Sequence, residues 1–294
     1  MLEPKMLELQ GLSKHFGGLK VLEDIDLSVP AGGIHGLIGP NGAGKTTLFN
    51  IITGLYEPSA GTVTFEGRDL AGMRPHRITQ LGLARTFQNI RVFKEMTLIE
   101  NVVVGMHRHL RYGASGLLFA SKGYREAERH ARERALELLS WVKLDHQAEE
   151  LADNLSYGNQ RKLELARALA TEPKLLLLDE PVAGMNSVEK TELMREIEAI
   201  ATRGYTVLLI EHDMRFVMGL CARIGVLNFG RIIADGTPDA IRNDPRVIEA
   251  YLGREDDDVD DENDLTKEHP VHLPDLSDLG ALDTPTTMDR EARR

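Results

Sequence analysis

Residues 39–46 read Gly39-Pro40-Asn41-Gly42-Ala43-Gly44-Lys45-Thr46, and the fixed positions in that stretch suit one chemistry. Glycines accept the unusual φ values that turn successive backbone N–H groups inward, where they grip a β-phosphate. A lysine in the place of Lys45 reaches the β- and γ-phosphates, and the Thr46 hydroxyl offers an oxygen ligand to Mg²⁺. Candidate nucleotide contacts therefore run from Gly39 through Thr47. At average composition the pattern arises by chance in about one chain in a hundred of this length, so a bare glycine turn is a poor account of it. A second stretch, Leu175-Leu176-Leu177-Leu178-Asp179-Glu180, places two carboxylates after four apolar residues. A buried strand ending there delivers Asp179 to the sheet edge, where it holds Mg²⁺ through water. Glu180 faces the other way, placed to orient and deprotonate an attacking water. Together the two stretches imply a chain that binds and hydrolyses a nucleoside triphosphate.

Both constellations need rigid elements behind them. The apolar run Ile34–Ile38 predicts a short strand before the glycine loop. After the loop, Leu48-Phe49-Asn50-Ile51-Ile52 predict the beginning of a helix whose positive end faces the phosphates. Continuously apolar strands at 174–179 and 206–210, with a helix over 187–203 between them, imply a parallel sheet covered on both faces. Segments 6–10, 20–29 and 61–66 alternate in the strand manner, with turn signals at Gly17-Gly18 and Pro30-Ala31-Gly32. They predict an antiparallel layer beside the first sheet. Between Tyr124 and Leu144, Arg, Glu, Ala and Leu recur at helical spacing, so an inserted helical subdomain is expected over about 90–165. A hairpin at 223–229 and 231–235 and a short helix near 237–252 complete the chain. The fold class is α/β: a P-loop core with a parallel sheet, a flanking antiparallel β layer and the helical insertion.

Composition limits what else the protein does. The chain has 294 residues, 42% apolar and 28% charged, as for an ordinary globular protein with a sizeable core. Its one cysteine, Cys221, excludes an internal disulfide and fits a reducing compartment. No apolar run reaches the length of a bilayer span, and the N-terminus lacks the apolar core of a secretory signal, so a cytoplasmic protein is expected. The net charge of −11 is uneven: residues 254–294 hold ten Asp and four Glu against one Lys and four Arg. That acidic segment has no aromatic residue and reads as a disordered tail outside a 1–253 domain. The remainder is close to neutral and offers no broad positive footprint for nucleic acid. In 107–134, Arg108, Arg111, Lys122, Arg125, Arg129, Arg132 and Arg134 outnumber Glu126, Glu128 and Glu133. A solvated helix face accounts for this, and contact with lipid headgroups is the sharper alternative.

Between the two constellations lies Leu155-Ser156-Tyr157-Gly158-Asn159-Gln160, followed by a helix expected over Arg161–Ala170. Here the sequence resembles the ATP-binding-cassette ATPases, whose signature loop has the pattern Leu-Ser-Gly-Gly-Gln. Leu155, Ser156 and Gly158 match, while Tyr157 replaces the first glycine and Asn159 the glutamine. Ser156 and Gly158 at a helix N-terminus donate to a γ-phosphate. The resemblance implies roles for three more residues. Gln88 would sense Mg²⁺ and water, His212 would contact the γ-phosphate and steady Glu180, and Phe16, 29 residues before Lys45, would stack on adenine. Asn186, in Pro181-Val182-Ala183-Gly184-Met185-Asn186, stands where many members carry aspartate.

Further matches narrow the resemblance. Phe16-Gly17-Gly18-Leu19, Arg85-Thr86-Phe87-Gln88, Phe93-Lys94-Glu95-Met96-Thr97 and Pro245 to Gly253 are similar to the ATP-binding subunits of branched-chain amino-acid importers. That likeness covers residues 6–253 and implies ATP and Mg²⁺ as cofactors. It also implies a second cassette, equal or unequal, paired head to tail. Transmembrane permease subunits at the cytoplasmic face of the plasma membrane and, indirectly, a solute-binding protein follow from it too. An importer of urea or another amide, a lipopolysaccharide transporter and a non-transport ATPase of the same superfamily remain alternatives. Just after Gln88, Ile90, Val92, Phe93 and Met96 are interspersed with charge and are expected to form a groove for a short helix of a membrane subunit.

Overall fold

The computed structural model describes residues 5–106 and 122–252. The acidic segment 254–294 and the basic residues Arg108 and Arg111 lie outside the described residues. Strands β1 (Lys5–Phe16) and β2 (Leu19–Pro30), with β4 (Ala60–Phe65) and β5 (Arg68–Asp69), form an antiparallel sheet ordered β2-β1-β4-β5. Alternation in the sequence places only residues 6–10 in the first strand, yet the strand runs on to Phe16. The reason is a register shift between Leu9 and Leu12, where Gly11 takes a left-handed φ of 56°. An extra residue at a bulge reverses which parity faces inward, so Leu7 and Leu9 are buried before it and Leu12 after it.

The central sheet contains β3 (Ile34–Ile38), β6 (Leu83–Arg85), β7 (Leu175–Asp179), β8 (Thr206–Ile210), β9 (Arg223–Asn228) and β10 (Arg231–Gly236). Its order is β10-β9-β3-β8-β7-β6, and every pair except β9–β10 is parallel. Both faces are covered, which is why these strands carry no polar alternation. Leu37, Leu175, Leu177, Leu208 and Ile210 pack toward the antiparallel sheet and α1 (Lys45–Ile52). Their neighbours Ile34, Ile38, Leu176, Leu178, Val207 and Leu209 pack into a second core with the later helices. Each such leucine contributes roughly 1.5–3 kcal/mol by leaving water.

Helix α2 (Pro75–Leu81) precedes β6, and α3 (Leu98–Gly105), α4 (Lys122–Trp141) and α5 (Tyr157–Leu169) pack on one another beside the sheet. Leu98, Val102, Leu138, Leu139 and Leu163 are all buried there. The remaining α-helices among the described residues are α6 (Ser187–Thr202), α7 (Met214–Leu220), α8 (Pro238–Arg242) and α9 (Pro245–Leu252). Several boundaries differ from the sequence reading. Helix α1 begins at Lys45, so Leu48–Ile52 end it rather than begin it. Helix α5 begins at Tyr157, four residues before the expected Arg161, because Ser156 caps it by accepting from Asn159 N at 3.3 Å. The single helix expected near 237–252 is two, since Pro245 restricts Asp244 and has no N–H to continue the first.

Candidate active site

Parallel strands deliver their C-terminal ends to one edge of the sheet. Residues 39, 179–180 and 211–212 therefore start where β3, β7 and β8 stop, with Leu37 and Asp179 both registered against Ile210. The glycine loop is held tightly there. A Cβ on Gly39 would lie 2.0 Å from the Leu227 carbonyl oxygen, and one on Gly44 would lie 2.8 Å from Leu22 Cδ2. Gly42 and Gly44 adopt left-handed φ of 79° and 106°, conformations that L side chains rarely take. Pro40 O accepts from Ala43 N at 3.2 Å, and Ala43 O accepts from Gly230 N at 3.0 Å, so the turn after β9 supports the loop from behind. Lys45 Nζ donates to the carbonyls of Gly39 and Pro40 at 2.6 and 2.9 Å. Burial pulls the Lys45 ammonium below its ordinary pKa, and the Glu180 and Asp179 carboxylates push it back up. Asn41, Gly42 and Thr46 are exposed, so the concave side of the loop is open to a ligand.

Asp179 lies at the end of β7 and is only 3% exposed. Its Oδ2 accepts from Arg85 Nη2 at 2.7 Å, and Arg85 Nη1 donates to Asn50 Oδ1 at 2.8 Å on α1. Sequence reasoning gave Arg85 no role beyond its place in a matching motif. The partner is 94 positions away, and no local pattern announces it. Arg85 fixes the aspartate against the helix that carries Lys45 and Thr46.

Glu180 follows in a left-handed backbone conformation, φ 48°, fastened by its N–H to Ile210 O at 2.9 Å. Such strain costs on the order of 1–3 kcal/mol and is kept where a side chain must be aimed. Gln88 Nε2 donates to Glu180 Oε2 at 3.0 Å, and His212 Nδ1 lies 4.0 Å from Glu180 Oε1. The structure thus brings Gln88, Glu180 and His212 together, as the resemblance implies. Beneath them is a residue with no sequence signal, Glu211. It is fully buried, and its carboxylate accepts from Val182 N and His212 N at 3.0 Å each and from Asp213 N at 3.4 Å. Burial pushes its pKa up, and the three backbone N–H groups pull it back down. Glu211 thereby ties the turn after Glu180 to the loop of His212.

Phe16, 42% exposed, meets Tyr56 edge to face at 5.3 Å, and Lys14 Nζ sits 4.9 Å from the Phe16 centroid. This exposed ring of a small aromatic cluster is a fitting platform for a base. Ser156 is exposed at the N-terminus of α5, whereas Gly158 is buried, with Glu189 Oε1 2.9 Å from the place of its missing Cβ. Among the described residues, no hydrogen bond or ion pair joins either of them to residues 39–47. The donors near the loop also suit Mg²⁺. The Thr46 hydroxyl, the Asp179 carboxylate and the Gln88 amide are hard oxygen ligands, and no group of three acidic, His or Cys side chains among the described residues forms an all-protein cage. Mg²⁺ is commonly held in this manner, by one carboxylate and substrate phosphates.

A family model described as ABC transporter matches residues 22–183. A second, described as branched-chain amino acid ATP-binding cassette transporter, matches residues 231–257. The high-affinity branched-chain amino acid transport ATP-binding protein BraF of Pseudomonas aeruginosa is 46% identical over 84% of this chain and 98% of its own. The LivG protein of Escherichia coli K12, of the same description, is 45% identical over the same shares. Among solved structures, the ADP conformation of MJ1267, an ATP-binding cassette of an ABC transporter, aligns with a TM-score of 0.74 at 33% identity. That alignment covers 85% of this chain and 99% of MJ1267. A dimeric structure of the MJ0796 cassette bound to ADP and Pi aligns at 0.67 and 26% identity, over 79% of this chain and 99% of that one.

Proposed function

Since this chain belongs to the ABC transporter family and is an ATPase of it, we propose that it powers the import of branched-chain amino acids as a peripheral subunit on permease partners. The observation that carries the solute class is the 46% identity that extends over 98% of a branched-chain amino acid transport protein. The match of the C-terminal residues 231–257 to the branched-chain family supports it.

The loop N–H groups, the α1 N-terminus and Lys45 bind the phosphates of ATP. Phe16 stacks on the base. Thr46 and Asp179, with Gln88, would hold Mg²⁺, which would supply neutralisation of phosphate charge. Glu180 accepts a proton from the attacking water, and Gln88 and His212 orient the carboxylate and the water beside it. Catalysis of this kind is mostly positioning and charge stabilisation. Exposed Ser156 on its helix N-terminus completes the ATP site of a second cassette, and the dimeric form of the MJ0796 relative supports such pairing.

The permease contact falls beyond Gln88, where a cavity of about 640 Å³ is lined by Leu55, Ile78, Phe87, Val92, Phe93 and Arg167, among others. Val92 and Phe93 line it, but Ile90 and Met96, expected in the same groove, do not. Asn101, wholly buried, accepts from Phe93 N at 2.8 Å and donates to Phe93 O at 2.9 Å, presenting the 46% exposed ring at the mouth. An apolar mouth rimmed by Arg91 and Arg167 suits a short helix from a membrane subunit. No described helix is long and apolar enough to cross a membrane itself, and a place at the cytoplasmic face follows from the permease contact. The test is reconstitution with the permease subunits and solute-binding protein in vesicles. ATP hydrolysis is expected to rise with leucine, isoleucine or valine and not with urea; stimulation by urea alone would overturn the solute class.

A further inference from the structure

Helix α5 holds the Gln88 segment by its backbone. Arg161 and Glu164, on the same helix behind Ser156, are 4% and 2% exposed. The Arg161 guanidinium donates to the carbonyls of Phe87 and Gln88 and pairs with Glu164 Oε2 at 3.4 Å. Glu164 Oε1 in turn accepts from Phe87 N at 3.5 Å and Arg91 N at 3.4 Å. Four backbone groups between Phe87 and Arg91 thus end on two buried side chains of one helix. Arg161 Nη2 also donates to the Tyr157 hydroxyl at 3.3 Å, and the guanidinium lies 5.7 Å from that ring's centroid. The ring edge reaches the loop after Glu180: a Cβ on Gly184 would lie 3.1 Å from Tyr157 Cε1. Tyr157, the departure from the glycine of the signature pattern, thus accepts from Arg161 and borders the loop after Glu180 within one chain.

We propose that Arg161 is a positioning residue for ATP hydrolysis: it fastens the Gln88 backbone to the helix led by Ser156, so that Gln88 meets Glu180 only with that helix in place. The consequence rests on the pairing proposed above. When Ser156 engages the ATP of a second cassette, the displacement of α5 is carried without slack to Gln88, whose amide donates to Glu180 at 3.0 Å. Buried guanidinium–carboxylate pairs that grip backbone leave little freedom for independent motion, because parting them strands charge away from water.

The test uses Arg161→Met together with Glu164→Gln, which removes the pair without stranding a charge, and Arg161→Lys, which keeps a donor for the two carbonyls. Steady-state ATPase of the assembled transporter, ATP affinity and melting temperature are measured for each. The double variant is expected to lose at least tenfold in kcat at a KM for ATP within twofold of the parent, and Arg161→Lys to recover part of the loss. A kcat within twofold of the parent would overturn the proposal, as would a loss shared equally by kcat and KM and tracking the melting temperature. Pairing is judged separately, from ATP-dependent dimerisation of Glu180→Gln by size-exclusion chromatography. A monomer there refutes the pairing and leaves the fastening to be decided by kcat.

Discussion

Glu180 is one side chain in a strained backbone, set among three neighbours that come from two other loops. Gln88 bonds one carboxylate oxygen, His212 lies near the other, and Glu211 braces the loops of both Glu180 and His212 from below. Glu180→Gln keeps the shape and the Gln88 contact region but removes the base. Turnover of the assembled complex should fall by ~10²–10⁴, the usual contribution of a placed base, while ATP still binds. Hydrolysis close to the parent rate, measured by phosphate release, would remove Glu180 from this role. The Lys45 and Asp179 contacts belong to the same scale. Lys45 is held locally, by the Gly39 and Pro40 carbonyls of its own loop, whereas Asp179 is set by Arg85, a partner remote in the chain.

At the scale of elements, three parallel strands and one capped helix do the placing. The strands β3, β7 and β8 end in register, so their following loops converge without any contact between distant side chains being required. Helix α3 shapes the neighbouring groove. Thr97 and Glu100 form a reciprocal cap at its start, and Asn101 in its first turn pins Phe93. Placing a charge at the mouth of that groove should separate two activities. With Phe93→Asp, the isolated chain is expected to keep its ATPase, because Phe93 lies outside the phosphate loop and the Glu180 cluster. Co-purification with the permease subunits should be lost, since the apolar ring is removed and a carboxylate beside the Arg167 guanidinium presents a charged mouth to an apolar docking helix. Normal assembly and transport with aspartate at this position would exclude the groove as the docking place.

For the whole molecule, two cores share the central sheet among the described residues 5–106 and 122–252. The family match to the C-terminal residues ends at 257. A chain truncated after residue 257 should melt within about 2 °C of the full protein, as every described residue of both cores is kept and the removed segment is acidic and free of aromatic residues, and it should keep its ATPase. One core leucine cut to alanine would cost about 2–5 kcal/mol by comparison, several degrees in a molecule of this size. Thermal unfolding of the truncated form decides it: a drop of that larger kind would place the acidic segment in packing contact with the core.

The sequence by itself determined the phosphate loop, the Asp179–Glu180 strand end and the two kinds of sheet. Those features are local: glycine spacing, an apolar run closed by carboxylates, and alternation against continuity each follow from neighbours along the chain. Phe16, Gln88 and His212 were legible only through a resemblance of order and motif, since one histidine or glutamine carries no local signature. Tertiary structure decided the rest. The parity change at Gly11 depends on a partner strand, and the early start of α5 depends on a side-chain cap. Arg85 on Asp179, Glu211 on the Val182 backbone and Arg161 on the Gln88 backbone join residues that are far apart in sequence or on different elements. A buried charge finds its partner through the packing that excludes water around it, and that packing is written in no single stretch of the chain.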